Sequence, residues 1–246
     1  MIDNLTKDTP NPTGRPLTVA VSLDIPPYVM ANATRGFEVD FMRGALSNYS
    51  LKWLQMDYLA LESAVSEKKA DVAMSVQGNK ANTFYSVDYV GFINFAITRK
   101  SDNLRIGCVA DLKGHPVLTW ENAWTELGNE FKQQYAPGSA ERPNYIEVAD
   151  QSQQVRQFWD KAGNIIVIDR SIFDYFSERS GHALSEAEYH NLFPEPARFK
   201  VGFADSAMRD EFNAGLRNLC RSGDYGRLLK SYHMPDMAGV CNRLKD

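Results

Sequence analysis

The chain has 246 residues, 43% of them hydrophobic and 24% charged, with a net charge of −4 and an isoelectric point near 5.6. That length accommodates one large domain or two modest ones, each with its own core. The acidic balance argues against nucleic acid as the main partner, because phosphate recognition needs a basic face. No stretch approaches the roughly 18 consecutive apolar residues that a helix crossing a bilayer needs.

Residues 1–15 are polar and rich in turn formers, and read as a disordered lead. They contain no apolar core of the kind a secretory leader has. Either the protein stays in the cytoplasm, or a leader has been removed and Met1 is not part of the natural start. "LTVAVS" (17–22) alternates Leu17, Val19 and Val21, a strand pattern, and Pro26 and Pro27 then end any ladder. Phe37, Phe41, Met42, Ala45 and Leu46 follow at helical spacing. "LKWLQM" (51–56) reads as a strand, and Leu61, Ala64 and Val65 mark a short helix closing near Lys68 and Lys69. "DVAMS" (71–75) is the next strand. Strand, helix, strand, helix, strand is the order of a parallel sheet with helices on its faces.

The alternation then begins again. "FINFAITRK" (92–100) is apolar and extended, and "HPVLTW" (115–120) is a strand. Trp124, Leu127 and Phe131 are expected to start a helix. Residues 135–144 form a loop and "YIEVA" a strand. Ser152 is the expected N-cap of a helix burying Val155, Phe158 and Trp159 and ended by Gly163. "NIIVID" (164–169) is a buried strand, followed by a helix through Ile172, Phe173 and Phe176. "FKVGFA" (199–204) is the last strand, and two helices carry Met208, Phe212, Leu216 and Leu219, then Tyr225, Leu228, Leu229 and Tyr232.

Two α/β lobes place a cleft between them, and ligands of open α/β sheets bind beyond the carboxyl ends of the strands. Those ends are Ser22–Tyr28, Ser75–Thr83, Trp120–Trp124 and Asp169. The turn after the third strand, "SVQGNKANT", is crowded with hydrogen-bonding groups, holds no acid, and has Lys80 as its one charge. His115, His182, His190 and His233 have no metal-ligand spacing, no cysteine pair has zinc spacing, and dinucleotide, phosphate-loop and serine-elbow motifs are absent. No catalytic residue, metal or cofactor is therefore assigned.

Four segments in order resemble the family 3 extracellular solute-binding proteins, best known as receptors of amino acid ABC transporters: "IPPYV" with "GFEVDFMRGAL", "ALESAVSEKKADVAMSV", "YSVDYVGFINFAITRK" and "LRNLCRSGDYGRLLKSYH". The resemblance runs from about residue 16 to 233. It implies an α/β protein of the two-lobed, type II periplasmic-binding kind, two α/β sandwiches joined by a two-segment hinge. Lobe 1 would be 16–98 plus 201–240, lobe 2 would be 101–198, with crossings near 98–103 and 198–202 and a tail over 241–246. Closure about the hinge would capture the ligand. The resemblance also favours a Cys220–Cys241 bridge, which would imply an oxidising compartment; three reduced thiols are the alternative. Cys108 is then left over as a small buried residue.

Departures from the family pattern bear on the ligand. Amino acid binders carry an arginine that forks onto the ligand's carboxylate; the matching position here is Thr83. A Gly-Thr-Thr-like run at a helix start normally adds donors; here Glu121 precedes Asn122, Ala123 and Trp124. The acid that holds the ligand's amino group has a counterpart in Asp169. The candidate ligand set is Ser22, Tyr28, Tyr58, Ser75, Gln77, Thr83, Trp120, Asn122, Trp124 and Asp169. Each has a plainer reading: Asp169 as a helix cap, the aromatics as core, Glu121 as a solvated first-turn acid. The set suits an amine, another cation over aromatic faces, or a neutral polar molecule, not an ordinary α-amino acid.

The functional expectation is a monomeric periplasmic or extracellular receptor delivering a small molecule to an ABC permease. A sensory module reporting to a membrane signalling protein is the alternative. A dehydratase of cyclic acids, or a homologue that has lost its ligand and binds a protein, are further readings.

Overall fold

The structure is a computed structural model, and it describes residues 16–78, 80–193, 195–236 and 238–244. The lead expected over residues 1–15 and the last two residues of the expected tail lie outside them. The chain divides into two compact units, one ending at Gly91 and resuming at Arg198, the other Phe92–Ala197.

In the first unit, β1 (Leu17–Ser22) pairs in parallel with β2 (Leu51–Met56), Leu17 opposite Leu51 and Ser22 opposite Met56. On its other side lies β3 (Val72–Val76), also parallel. Val19, Ala20 and Val21 are all fully buried, as a central strand covered on both faces requires. β4 (Phe84–Tyr85), β5 (Val90–Phe92) and β11 (Ala197–Phe203) complete the sheet, whose order is β2-β1-β3-β11-β4 with β5 also paired to β11. β11 runs antiparallel to β3 and β4.

Helix α1 (Phe37–Ala45) sends Phe37 and Phe41 into an aromatic cluster with Tyr89, Phe212 and Tyr225. Each such ring, fully buried, stabilises the unit by roughly 1.5–3 kcal/mol. Phe212 belongs to α6 (Ser206–Ser222) and Tyr225 to α7 (Asp224–Ser231). Asp205 caps α6 by accepting from the Met208 N–H at 2.9 Å, and Gly223, at φ +77°, ends it in the left-handed conformation. Cys220 of α6 is bonded to Cys241 of α8 (Val240–Arg243), with Cα atoms 5.3 Å apart. The segment expected as a tail from residue 241 is thus partly helical and cross-linked. Closing that loop contributes about 3 kcal/mol in the chain-entropy account. The short helix expected around Leu61 is a single turn, α2 (Tyr58–Leu61), followed by turns.

The second unit holds the sheet β10-β6-β9-β7-β8. β6 (Asn94–Arg99) is antiparallel to β9 (Ile165–Asp169) and to β10 (Ala187–His190); β7 (Val117–Thr119) is parallel to β8 (Tyr145–Glu147) and β9. β6 pairs along its length inside this unit, so the first crossing falls at Gly91/Phe92, before the 98–103 expected; the second is at Ala197/Arg198. One face packs α3 (Asn129–Tyr135), with Phe131 and Tyr135 fully buried against Val117, Ile165 and Val167. α4 (Gln151–Asp160) and α5 (Arg170–Arg179) bury Phe158, Trp159 and Phe173 together.

Two local expectations are corrected. The cap of α4 is Asp150, not Ser152: its carboxylate accepts from the N–H groups of Ser152 (2.8 Å) and Gln153 (3.2 Å), and a charged acceptor suits the positive helix end better than a hydroxyl. Cys108 is exposed, not buried, because it opens a 3₁₀ turn at Val109–Leu112 with its Sγ 3.4 Å from Asp111 Oδ2.

Helices α1 and α6 meet at Gly215, where a β-carbon would lie 2.1 Å from the carbonyl oxygen of Ala45. The clash is with backbone, so relief requires one helix to move. Gly215→Ala is expected to cost about 3 kcal/mol, the upper end for overpacking, read as a lowered denaturant midpoint; an unchanged midpoint would remove this contact from the account.

Candidate functional site

The carboxyl end of the first unit's sheet is built by Ser22 at the end of β1, Tyr58 just after β2, and Gln77 just after β3. Tyr58 is 41% exposed and meets the Phe199 ring edge-on at 6.2 Å. The Gln77 N–H is held by Glu62 Oε1, while the Gln77 side chain is exposed. The polar turn folds back on Tyr85, whose hydroxyl accepts from the Lys80 N–H at 2.9 Å. Gly78, at φ +96°, lies against that ring: an added β-carbon would be 3.2 Å from it. Thr83 is half-buried, its hydroxyl donating to the Ala81 carbonyl at 3.5 Å. A β-carbon on Gly202 of β11 would lie 2.9 Å from its methyl group. The position is therefore packed as part of the sheet edge.

Two residues of the candidate set belong to the interior of this unit. Tyr28 is 1% exposed, because its loop lies on the start of α1, with the Glu38 N–H donating to the Tyr28 carbonyl at 3.0 Å. Ser75 is 6% exposed and, at φ +54°, turns its side chain inward. Its hydroxyl donates to Glu38 Oε1, which also accepts from the Tyr89 hydroxyl. The Ser75 N–H in turn donates to the Tyr89 oxygen at 3.2 Å. This network ties α1, the end of β3 and the approach to β5 together. Glu38 was absent from the sequence-derived set. Its signal was an acid in a helix whose neighbours Phe37, Val39, Phe41 and Met42 are all apolar.

In the second unit, Trp120 and Trp124 are half-buried against the core that contains Phe131 and Tyr145. The Trp124 N–H donates to the Tyr145 hydroxyl at 3.0 Å, and Lys132 Nζ lies 5.8 Å from the Trp124 ring centre. Asn122 is exposed, left-handed at φ +60°, and its N–H donates to Glu147 Oε1 at 3.1 Å. Residues Ala123–Thr125 form one 3₁₀ turn; the helix expected to begin at Trp124 begins at Asn129, after Gly128 at φ +89°. Asn122–Trp124 thus do not sit at an α-helix N-terminus, and the aligned N–H groups such an end supplies are not available there.

Asp169 is 4% exposed and caps α5. Oδ1 accepts from Ser171 (2.9 Å) and Ile172 (3.2 Å), and Oδ2 from the Ile93 N–H at 2.8 Å. The plainer reading of this residue, a helix cap, is what the geometry displays. Its neighbour Arg170 is engaged elsewhere, with Asp174 at 3.4 Å and stacked over Tyr189 at 4.9 Å. Among the described residues no group of histidine, cysteine and acidic side chains could hold a metal ion, and no helix is long and apolar enough to cross a membrane.

Residues 17–235 match the profile of the bacterial extracellular solute-binding proteins, family 3. The chain belongs to this family. Its fold is the two-lobed, type II periplasmic-binding fold of the solved structures it matches. The ligand-binding core of GluR0 from Nostoc punctiforme, in complex with L-glutamate, matches at 21% identity and a TM-score of 0.65, over 89% of this chain and 100% of that one. An ABC uptake transporter substrate-binding protein from Streptococcus pneumoniae with bound histidine matches at 16% and 0.70, over 90% and 94%. A histidine kinase sensor domain similar to periplasmic binding proteins matches at 15% and 0.68, over 89% and 96%. A comparison with curated proteins returns no match. Family 3 proteins are binding proteins and extracytoplasmic, and these identities carry the fold, not the ligand.

Burial raises the pKa of Glu38, and the Ser75 and Tyr89 hydroxyls offset this only in part. In the unfolded chain the group ionises near its ordinary value of about 4.3, while the folded chain holds the proton to higher pH. The folded state binds more protons in that window, so its stability falls as pH rises from about 4.3 until the folded carboxyl has also ionised. Glu38→Gln is expected to flatten this decline and to add about 1 kcal/mol at pH 7. Parallel denaturation series from pH 4 to 8 test this; equal slopes in both proteins would refute it.

Proposed function

We propose that this protein is a periplasmic receptor that captures a small polar organic molecule, cationic or neutral, rather than a standard α-amino acid, for uptake by an ABC permease. The observation that carries the reading is Thr83, a short uncharged side chain packed beside Gly202, where amino acid receptors of the family hold a guanidinium. A buried carboxylate without that fork is penalised by several kcal/mol. The single turn at Ala123–Thr125 supports the same reading, since it offers no helix end to an anion. Tyr58, Trp120 and Trp124 supply aromatic surface, and Asp169, with three backbone donors already on it, caps α5 and ties its start to Ile93. Capture by closure of hinged lobes, and a monomeric state, come with the resemblance and belong to the same proposal.

A sensory role is the second reading, favoured by the likeness to the kinase sensor domain. Catalysis is not part of the proposal: the sequence offers no nucleophile, and a dehydratase of acidic substrates needs the positive groups that Thr83 displaces.

Titration calorimetry of the purified chain against α-amino acids, amines and neutral polar compounds tests the reading. Binding is expected from the last two classes, with Trp120→Ala or Trp124→Ala weakening it about tenfold. Micromolar binding of a simple α-amino acid would sink it.

A further inference from the structure

Six buried side-chain polar atoms lack a hydrogen-bond partner among the described residues, and two of them, Ser22 Oγ and Glu62 Oε2, belong to one edge of the first unit. Ser22 is the last residue of β1. Glu62 follows α2, which packs on β1 and β3 through Leu61, Ala20, Ala73 and Val76. The other oxygen of Glu62 accepts the N–H of Gln77, one residue beyond β3. The carboxylate is thereby pinned at the carboxyl end of the sheet, where β1 and β3 run side by side.

The chemistry of the two orphans is specific. A carboxylate oxygen only accepts, and a hydroxyl can accept as well as donate. A charged oxygen shut away from water and from donors is costly to keep, and an N–H cation answers both its charge and its lone pairs. Tyr58 lies four residues before Glu62 along one helical turn, so the two side chains leave the same face. The Tyr58 residue is 41% exposed and adds an aromatic surface, which attracts cations.

We propose that Glu62, Ser22 and Tyr58 form the subsite for the charged end of the ligand, and that the ligand is an organic cation bearing N–H donors: a primary or secondary ammonium, or a guanidinium. This deepens the receptor reading above and rests on it. Both orphan atoms are buried, so the cation reaches them by displacing a neighbour. A neutral ligand would leave Glu62 uncompensated. A quaternary ammonium would match its charge and leave both acceptors without a donor.

The test uses agmatine and putrescine as probes, choline as a cation without N–H donors on its charged nitrogen, myo-inositol as a neutral compound and L-alanine as an amino acid. Each is titrated into the wild-type chain and into Glu62→Gln, which keeps an oxygen for the Gln77 N–H and removes the charge. Agmatine or putrescine is expected to bind the wild type and to bind Glu62→Gln at least tenfold more weakly; Ser22→Ala weakens binding severalfold. Without ligand, Glu62→Gln is expected to melt about 2–4 °C higher, because the orphan charge is gone. A merely structural Glu62 would not produce this opposition of higher melting and weaker binding. Equal affinity in Glu62→Gln overturns the subsite and leaves the receptor reading standing. Binding of choline or myo-inositol alone overturns the N–H cation and likewise spares the receptor reading. Binding of L-alanine alone, or of nothing at millimolar concentration, overturns both.

Discussion

The buried carboxyl of Glu38 is the constraint on which the carboxyl end of the first unit's sheet depends. It gathers the Ser75 and Tyr89 hydroxyls on one oxygen, and so fixes the end of β3 against α1 and against the segment entering β5. Ser75 adopts a left-handed conformation that a serine reaches only at a cost of roughly 1–3 kcal/mol, and the network offsets that cost. Tyr89 is held from three sides: by Glu38, by its own N–H to Phe199, and by Tyr225 donating to its carbonyl. A polar centre inside an aromatic cluster therefore anchors the chain at Ser75, near the end of β3.

Most of the framework was legible from periodicity. β1, β3 and β9 are largely apolar runs, β2 and β11 interleave apolar with polar residues, and α1, α6 and α7 have unbroken helical spacing. β4, β5 and β10 span two to four residues each and carry no period of their own; partners distant in sequence create them. The early break before α3 was hidden because Trp124, Leu127 and Phe131 keep helical spacing even though Gly128 interrupts the helix; all three pack on one core.

The site was less legible than the fold, and the reason is physical. Strand ends pointed to particular loops, but sequence alone does not separate a side chain that leaves the loop from one that turns under it. Tyr28 and Ser75 went inward because α1 offered them a backbone partner and a buried acid. Asp169 satisfied the residue type of a ligand acid while its oxygens answered nearby N–H groups.

The position of β11 governs how the molecule is made. It lies inside the first sheet, between β3 and β4, yet it is encoded after the whole of the second unit. Emerging from the ribosome, the second unit is contiguous and can close its sheet on its own. The first must wait with one flank of β3 unpaired for about 120 residues of synthesis, a long-range closure of the slow, aggregation-exposed kind. Biogenesis of this protein is therefore a race between late strand insertion and adventitious pairing at that open flank, and holding the nascent first unit apart from its neighbours is a requirement built into the topology.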